Sequence, residues 1–218
     1  MKFGADALML IYDRLLERYG AQHWWPAETP FEVMVGAVLT QNTAWSNVEK
    51  AIANLKAMDG GLGLESLLAV PEERLAAAIR PAGYFNIKAQ RLLSLCRFLH
   101  RHQGLERLET ERLRAALLSV HGVGPETADD ILLYAFDRPV FVIDAYTRRL
   151  FSRLGLVDGK RGYESFRGGF EAALESDSAL FNEYHALIVV HAKAHCRTRP
   201  VCGECPLRDR CPYPGSAQ

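Results

Sequence analysis

The sequence lacks three features that would each assign a protein to a broad class: an excess of charge, a long apolar run and strict apolar–polar alternation. Its 218 residues contain 26 Lys and Arg against 26 Asp and Glu, so the formal net charge is zero. A neutral chain argues against a strongly basic, non-specific nucleic-acid binder, although it permits a local basic surface. Residues 138–160 indicate such a surface, because five basic residues stand there against two acidic ones.

No apolar run is long enough for a membrane span or a signal peptide. The stretch at residues 7–12 is far too short, and Asp6, Asp13 and Glu17 interrupt the pattern around it. We therefore expect a cytoplasmic protein, associated with the nucleoid if bacterial, with no membrane partner. Disulfides are disfavoured in that compartment, which matters because four of the five cysteines fall between positions 196 and 211.

Apolar residues recur with helical periodicity, and no segment alternates with period two for long enough to form a strand. Pro and Gly mark the helix boundaries. Pro30 and Pro125, for example, each suit a first helical position, where a missing N–H costs nothing. The sequence therefore predicts an all-α protein of about ten short helices. Arg138-Pro139 is the candidate domain boundary that composition marks.

Two glycines interrupt an otherwise helix-forming region between Val120 and Asp129. Glycine turns sharply without a Cβ penalty, so Gly122 and Gly124 predict a tight hairpin before a helix that starts at Pro125. Such a hairpin directs unpaired backbone N–H groups outward and makes an anion site. For an isolated G-V-G, an ordinary helix–turn–helix connection is the alternative interpretation.

Four cysteines with the spacing C-x5-C-x2-C-x5-C are the strongest signal in the chain. They are Cys196, Cys202, Cys205 and Cys211. Four thiolates this close together in an intracellular chain indicate a metal. A single C-x2-C between two longer loops fits a [4Fe–4S] cluster with a structural role, and zinc is the main alternative. Arg197 and Arg199 in the first loop are candidates for phosphate contact, or else belong to a solvated loop.

Two polar positions at helix ends are candidates for chemistry or recognition. Asp144 follows an apolar run at a predicted helix start, where a carboxylate serves most simply as an N-cap. It could also stabilise an oxocarbenium-like sugar and orient water. Gln41 and Asn42 could cap the second helix or fill the gap that an extruded base leaves in a duplex. Aromatic residues that could stack on such a base are Trp24, Trp45, Tyr84 and Phe85.

Four features follow one another along the chain: the Gln/Asn turn, the V-H-G-V-G-P-E-T-A-D hairpin, the V-I-D-A-Y segment and the four cysteines. In this order they resemble the endonuclease III superfamily of helix-hairpin-helix (HhH-GPD) DNA glycosylases. The resemblance covers residues 5–211. It implies a six-helix barrel domain at residues 28–137 and an iron–sulfur cluster domain formed by residues 1–27 and 138–218. A damaged base would flip into a groove between these domains.

The resemblance also implies roles for individual residues. By position, Asp144 matches the catalytic aspartate, and Gln41 and Asn42 match the turn that intercalates into the duplex. The four cysteines match the ligands of a [4Fe–4S] cluster. The DNA-binding hairpin is matched by Gly122, Val123 and Gly124, with Thr127 as a further contact.

Two departures from the family pattern carry information. Endonuclease III itself has a lysine in the helix after the hairpin, which attacks the sugar to form a Schiff base, and Glu126 occupies that position here. None of the six lysines lies in the hairpin. We therefore predict a monofunctional glycosylase, with Asp144 and Glu126 as the candidate catalytic residues. The first cluster loop also has five residues where the family usually has six.

Segments 40–43, 79–86 and 122–129 are similar to the 3-methyladenine glycosylase III branch, which is monofunctional and removes alkylated purines. A cationic alkylated base stacks well on aromatic side chains, which makes Trp45 and Tyr84 candidates for the base pocket. Lys193, on the helix before the cysteines, is a further candidate for this pocket. The alternatives are an endonuclease III-type enzyme for oxidised pyrimidines with weak or no lyase activity, and a non-catalytic DNA-binding scaffold. The expected partner is double-stranded DNA with a damaged base, bound by a monomer.

Overall fold

The computed structural model describes residues 2–213, and within this range the chain forms eleven α-helices, three short 3-10 helices and no strand. The predicted all-α fold is therefore confirmed. No helix among these residues is both long and apolar enough to cross a membrane. The helices are α1 (Ala5–Tyr19), α2 (Pro30–Leu39), α3 (Trp45–Lys56), α4 (Leu64–Ala69), α5 (Glu72–Ala78), α6 (Phe85–Arg101), α7 (Thr110–Leu118), α8 (Pro125–Phe136), α9 (Ala145–Arg153), α10 (Tyr163–Ala173) and α11 (Ser178–Ala194).

The chain divides into two compact units. One is continuous and comprises Ala27–Arg138. The other, which we call the split unit, combines the chain up to Pro26 with the chain from Pro139 onward. The assignment of the split unit as an iron–sulfur domain stays a prediction.

The continuous unit is built around α2, whose residues from Glu32 to Leu39 are all buried. Thr29 caps this helix by accepting a hydrogen bond from the N–H of Glu32, and α2 packs most extensively against α8. A helix that is apolar on all sides requires burial on all sides, which explains its central position. Around it the core is largely aliphatic.

A buried ion pair joins α7 to α8 within the continuous unit. Nε of Arg114 donates to one carboxylate oxygen of Asp129 at 2.6 Å, and Nη2 donates to the other at 3.2 Å. Both side chains are almost fully buried. A bidentate pair of this kind fixes orientation as well as distance, so it sets the angle at which the two helices flank the hairpin between them.

The split unit has an aromatic core instead. Phe141, Phe151 and Phe170 pack with ring centroids 4.3 to 4.8 Å apart, in stacked and edge-to-face arrangements. The hydroxyl of Tyr184 on α11 donates to the Leu8 carbonyl of α1, so the buried ring is satisfied at its polar end. The apolar residues 140–143 are buried and extended, and they lead directly to Asp144 at the start of α9.

Candidate functional site

The hairpin connects α7 to α8 where the glycines predicted it, but the two glycines are not equivalent. Gly122 has φ +87°, whereas Gly124 has φ −94°, which any residue can adopt. A Cβ at Gly122 would lie 2.1 Å from Cγ of Arg91, so the close approach of α6 also requires glycine there. The sequence interpretation treated both glycines as turn residues, and it is wrong for Gly124 because the turn is already complete at that residue.

The backbone N–H groups of the hairpin are also not equivalent, because only one of them donates within the turn. The N–H of Val123 closes the turn onto the Val120 carbonyl at 3.1 Å, so it is not an open donor, and the Val123 side chain is buried. The N–H groups of Gly122 and Gly124 donate to no acceptor within residues 2–213. These two open donors lie at the positive end of the α8 dipole, which is the arrangement that binds a phosphate.

Gln41 is held against the hairpin. Its side-chain amide donates to the Gly122 carbonyl and to the Thr127 hydroxyl, both at 3.0 Å, and its carbonyl oxygen accepts from Arg91. Thr127 is only 6% exposed, so its hydroxyl is committed to this contact. Asn42 is exposed and has φ +53°, and it is therefore the member of the Gln/Asn pair that the turn presents to solvent.

Lys88 is a residue that the sequence interpretation missed. Its side chain is 1% exposed, and Nζ donates to the carbonyl of Leu39, the last residue of α2, and to that of Ala82, both at 2.8 Å. Burial, with a smaller effect from the charge of Arg91, lowers the pKa of Lys88 to about 8. Its position on the same stripe as the buried Leu92 and Leu95, four and seven residues on, was the signal available in the sequence.

The Lys88 contacts join two turns of the continuous unit. One turn follows α2 and carries Gln41 and Asn42, and the other follows the 3-10 helix Arg80–Ala82 and carries Tyr84. Tyr84 is 71% exposed, with a left-handed backbone at φ +46°. Trp45 is half-buried, and its indole N–H donates to the Glu49 carboxylate at 2.9 Å. Of the aromatic candidates in this unit, Tyr84 is therefore the one that is most open to a ligand.

Glu126 occupies the first turn of α8 and is exposed. A carboxylate there stabilises the positive end of the helix dipole. It also places a negative charge two residues after Gly124, next to the open N–H donors. The structure is thus compatible with a helix-start role for Glu126, and it gives this side chain no nucleophilic character.

In the split unit, Asp144 is the N-cap of α9, as the simplest interpretation predicted. Oδ1 accepts from the N–H of Thr147 at 2.7 Å, and Oδ2 lies 3.6 Å from Nε2 of His185 on α11. Burial raises the pKa of Asp144, but the interaction with His185 and the Thr147 N–H outweigh it, so the pKa lies below the ordinary value. Asp144 is therefore an ionised carboxylate at neutral pH. His185 was not anticipated, because only the fold brings α11 to the start of α9.

The four cysteines line one cavity of the split unit, together with residues of α9 and α11. The cavity contains about 370 Å³ of space that protein atoms do not fill, some of it continuous with solvent. Burial, and then the neighbouring cysteines, raise the pKa of Cys205 and of Cys211. Within residues 2–213, no three Cys, His, Asp or Glu side chains converge closely enough to hold a single metal ion.

Two arginines of α9 donate hydrogen bonds to backbone carbonyls of the first cysteine loop. Arg149 donates to the Cys196 carbonyl at 2.6 Å, and Arg153 donates to the carbonyls of Arg197 and Thr198 at 2.6 and 3.0 Å. Arg197 itself is exposed and donates to the carbonyl of Lys193 at 2.6 Å. The side chains of Arg199 and Lys193 are also exposed. These three cations therefore lie on the surface, and Lys193 does not line a buried pocket.

Comparison with known proteins bears on these features. A family model described as "HhH-GPD superfamily base excision DNA repair protein" matches residues 35–175. A Methanocaldococcus jannaschii protein with a provisional assignment as a DNA repair glycosylase is 51% identical over 212 residues, which is 94% of this chain and 96% of that protein. Endonuclease III of Escherichia coli K12 is 30% identical over 188 residues, covering 85% of this chain and 84% of the enzyme.

A solved structure is similar as well. The crystal structure of Helicobacter pylori 3-methyladenine DNA glycosylase (MagIII) bound to 1,N6-ethenoadenine superposes with a TM-score of 0.71 at 30% sequence identity. The match covers 87% of this chain and 95% of that one. The resemblances to endonuclease III and to the 3-methyladenine branch, first found in short motifs, are thus confirmed over most of the chain.

Proposed function

The chain belongs to the HhH-GPD superfamily of base excision DNA repair proteins, and we propose that it is a monofunctional DNA glycosylase that removes an alkylated purine from double-stranded DNA. The observation that carries the proposal is Glu126, which stands where a lyase of this family has its lysine. A carboxylate cannot form a Schiff base with the sugar. Lys88, the lysine of the continuous unit with a lowered pKa, is buried and donates to two carbonyls, so it does not replace the missing nucleophile.

Asp144 supplies the catalytic charge in this proposal. When the C1′–N bond breaks, the base departs with the bonding electron pair and the sugar develops oxocarbenium character, which an ionised carboxylate stabilises. Water then adds to C1′ and loses a proton, which leaves an abasic site. Because a purine that is methylated on a ring nitrogen, as in 3-methyladenine, is already cationic in the nucleotide, it departs as a neutral molecule and needs modest help. The lowered pKa of Asp144 supports this role, since the carboxylate remains charged at neutral pH.

The continuous unit supplies the DNA-binding surface of the proposal. The two open N–H groups of Gly122 and Gly124 suit a backbone phosphate, which is how a helix N-terminus binds an anion without sequence preference. Asn42 and Tyr84, exposed on two adjacent turns, are the side chains that we assign to the duplex and the lesion. Gln41 positions the turn against the hairpin through its side-chain amide, and its expected contact with the duplex stays a prediction.

We assign a [4Fe–4S] cluster rather than a zinc ion to the cavity that the four cysteines line. The spacing C-x5-C-x2-C-x5-C supports this assignment, because a structural zinc site usually has two C-x2-C pairs or a mixture of Cys and His. Cys196, Cys202, Cys205 and Cys211 would hold the cluster. When bound, the cluster supplies structural cross-linking of the loop that carries Arg197 and Arg199. Burial, and then the neighbouring cysteines, raise the pKa of Cys205 and of Cys211, and the cationic core of a cluster would offset both effects on the thiolates.

A panel of duplexes with single lesions tests the proposal. The panel contains 3-methyladenine, 1,N6-ethenoadenine and an oxidised pyrimidine, and each reaction is divided between hot alkali and neutral quenching. We expect release of the alkylated purine, with strand cleavage only after alkali. A covalent adduct that sodium borohydride traps efficiently would contradict the monofunctional assignment. The 30% identity to E. coli endonuclease III keeps oxidised pyrimidine as the alternative substrate, and preferential release of that base would establish it.

A further inference from the structure

A groove lies beside the hairpin on the continuous unit, and the proposed function does not yet use it. It is formed by the C-terminal half of α6 and by the residues that lead from α7 into the hairpin, and it contains about 550 Å³ of space that protein atoms do not fill, part of it open to solvent. The polar residues that line it include Arg97, Arg101 and His121. Its apolar floor consists of Phe98 and Val120.

The groove is cationic, and its two arginines have no acidic partner among residues 2–213. Arg97 and Arg101 are both exposed, and neither forms an ion pair or a side-chain hydrogen bond with any residue in the range 2–213. No Asp or Glu lines the groove. Two other arginines of this unit differ in this respect: Arg91 donates to Gln41, and Arg114 pairs with Asp129. Two adjacent guanidinium groups without an acidic partner favour an anionic ligand.

The remaining polar groups of the groove narrow the choice of ligand. The hydroxyls of Ser94 and Ser119 donate to carbonyls of their own helices, at 2.8 and 2.6 Å. Nδ1 of His102 contacts the Phe98 carbonyl at 2.8 Å. The donors without an acceptor among residues 2–213 are therefore mainly the guanidinium N–H groups of Arg97 and Arg101, with the exposed ring of His121 beside them. This set suits phosphate oxygens better than a ligand that needs several different polar contacts.

Spacing relates this groove to the hairpin. Arg97 and Arg101 are four residues apart on α6, which is about 6 Å along the helix axis. Duplex DNA presents one phosphate about every 3.4 Å of axis on each strand, so both arginines can reach phosphates of one strand. His121, at the edge of the groove, immediately precedes Gly122 with its open N–H. A backbone that is bound at the hairpin therefore continues within reach of the groove.

We propose that this groove is a second phosphate-binding surface, on which Arg97 and Arg101 contact the DNA backbone next to the hairpin. The inference rests on the proposed function in that it takes the polyanion to be DNA. It extends the footprint of the protein along the duplex and adds to affinity without adding sequence preference, because phosphate contacts carry no base information.

The test is the salt dependence of binding to a short fluorescent duplex, measured by anisotropy between about 50 and 200 mM salt. Each lost phosphate contact lowers the slope of log K against log salt by about 0.9. We therefore expect the double variant Arg97→Gln, Arg101→Gln to lose about 1.8 from the wild-type slope. The matched control is Arg74→Gln, Arg107→Gln, which removes two exposed arginines of the same unit that pair with Asp59 and Glu106. Its slope should equal that of the wild type.

The outcomes separate the two proposals. If the wild-type protein binds the duplex with a clear salt slope and the groove variant keeps that slope, the groove proposal is wrong and the proposed function stands. If both double variants lose slope equally, the effect is one of total charge and the groove is again excluded. If the wild-type protein does not bind duplex DNA at all, the proposed function fails together with the groove.

Discussion

The turns of the continuous unit and the cysteine segment of the split unit differ in how many protein contacts fix them. In the continuous unit the turns are fixed by protein atoms alone: Lys88 joins two of them, and Gln41 joins one to the hairpin. In the split unit, the segment 196–213 contains only two buried residues, Cys196 and Leu207. Arg149 and Arg153 donate hydrogen bonds to the start of this segment, but so little apolar burial offsets only part of the conformational entropy of its eighteen residues, which is roughly 1 kcal/mol or more for each. The comparison indicates that the turns to which we assign DNA binding are preorganised, and we expect the cysteine segment to depend on the cluster that we propose for it.

The titration of Lys88 gives the largest expected effect. Its pKa in the folded chain is about 8, against an ordinary value of 10.5, so between these values the unfolded chain binds more protons than the folded one. Stability must therefore rise with pH across that window, and the burial penalty is fully present below pH 8. Relative to Lys88→Met, the wild-type free energy of unfolding should increase by up to about 3 kcal/mol between pH 8 and 10.5.

Denaturant unfolding at several pH values measures this difference. Lys56→Met is the matched control, because the hydrogen bonds that Lys56 donates to the carboxylates of Glu28 and Glu32 raise the pKa of Lys56. A raised pKa gives no gain in stability across the same window. If the difference in unfolding free energy between the wild-type protein and Lys88→Met did not change with pH, the ammonium would not be buried as described. Another interaction would then have to join the two turns.

The hairpin glycines give the next effect. Gly122→Ala places a Cβ into the stem of Arg91 and forces alanine into a left-handed conformation, so we expect a loss of about 2 kcal/mol or more in unfolding free energy. Gly124→Ala meets nothing within 4 Å at ordinary φ, and it should lose about 1 kcal/mol or less. Equal losses in the two variants, measured by urea unfolding, would show that the hairpin is not held against α6.

The cysteine segment gives the most localised effect. Cys205→Ser removes one proposed cluster ligand, and we expect residues 196–213 to lose amide-exchange protection. Peptides from α6 and α8 should keep theirs, because no thiol takes part in the ties made by Gln41 and Lys88. Hydrogen exchange followed by mass spectrometry measures both regions in one experiment. Unchanged protection at 196–213 would mean that the segment is stable without its ligand, which would remove the contrast between the units.

Local patterns predicted the parts of this molecule that local chemistry determines. Pro30 and Pro125 begin helices, and Asp144 caps one, because capping and proline rules act over three or four residues. The long-range ties could not be predicted in the same way. Gln41 meets Gly122 across 81 positions, and Lys88 meets Leu39 across 49.

The contacts of the site residues follow the same rule. The contact of Gln41 with the hairpin was not predicted, because a glutamine after a helix has several possible partners and only the fold selects one of them, while its assignment to DNA stays a prediction. His185 escaped notice because a histidine on an apolar helix face is most simply a core residue, and only the position of Asp144 gives it a second role. The sequence therefore predicted Asp144 as a cap, whereas Lys88 and His185 became visible only when the fold placed their partners beside them.

The central claim is that Asp144, and not a hairpin nucleophile, carries the chemistry. The most direct measurement compares single-turnover base release by Asp144→Asn and Asp177→Asn at saturating enzyme. Both aspartates are N-caps in the split unit, accepting from Thr147 and Ala179, and asparagine preserves the cap while removing the charge. We predict that Asp144→Asn loses about a hundredfold or more in rate while Asp177→Asn stays near the wild-type rate. Base release by Asp144→Asn at the wild-type rate would contradict the account.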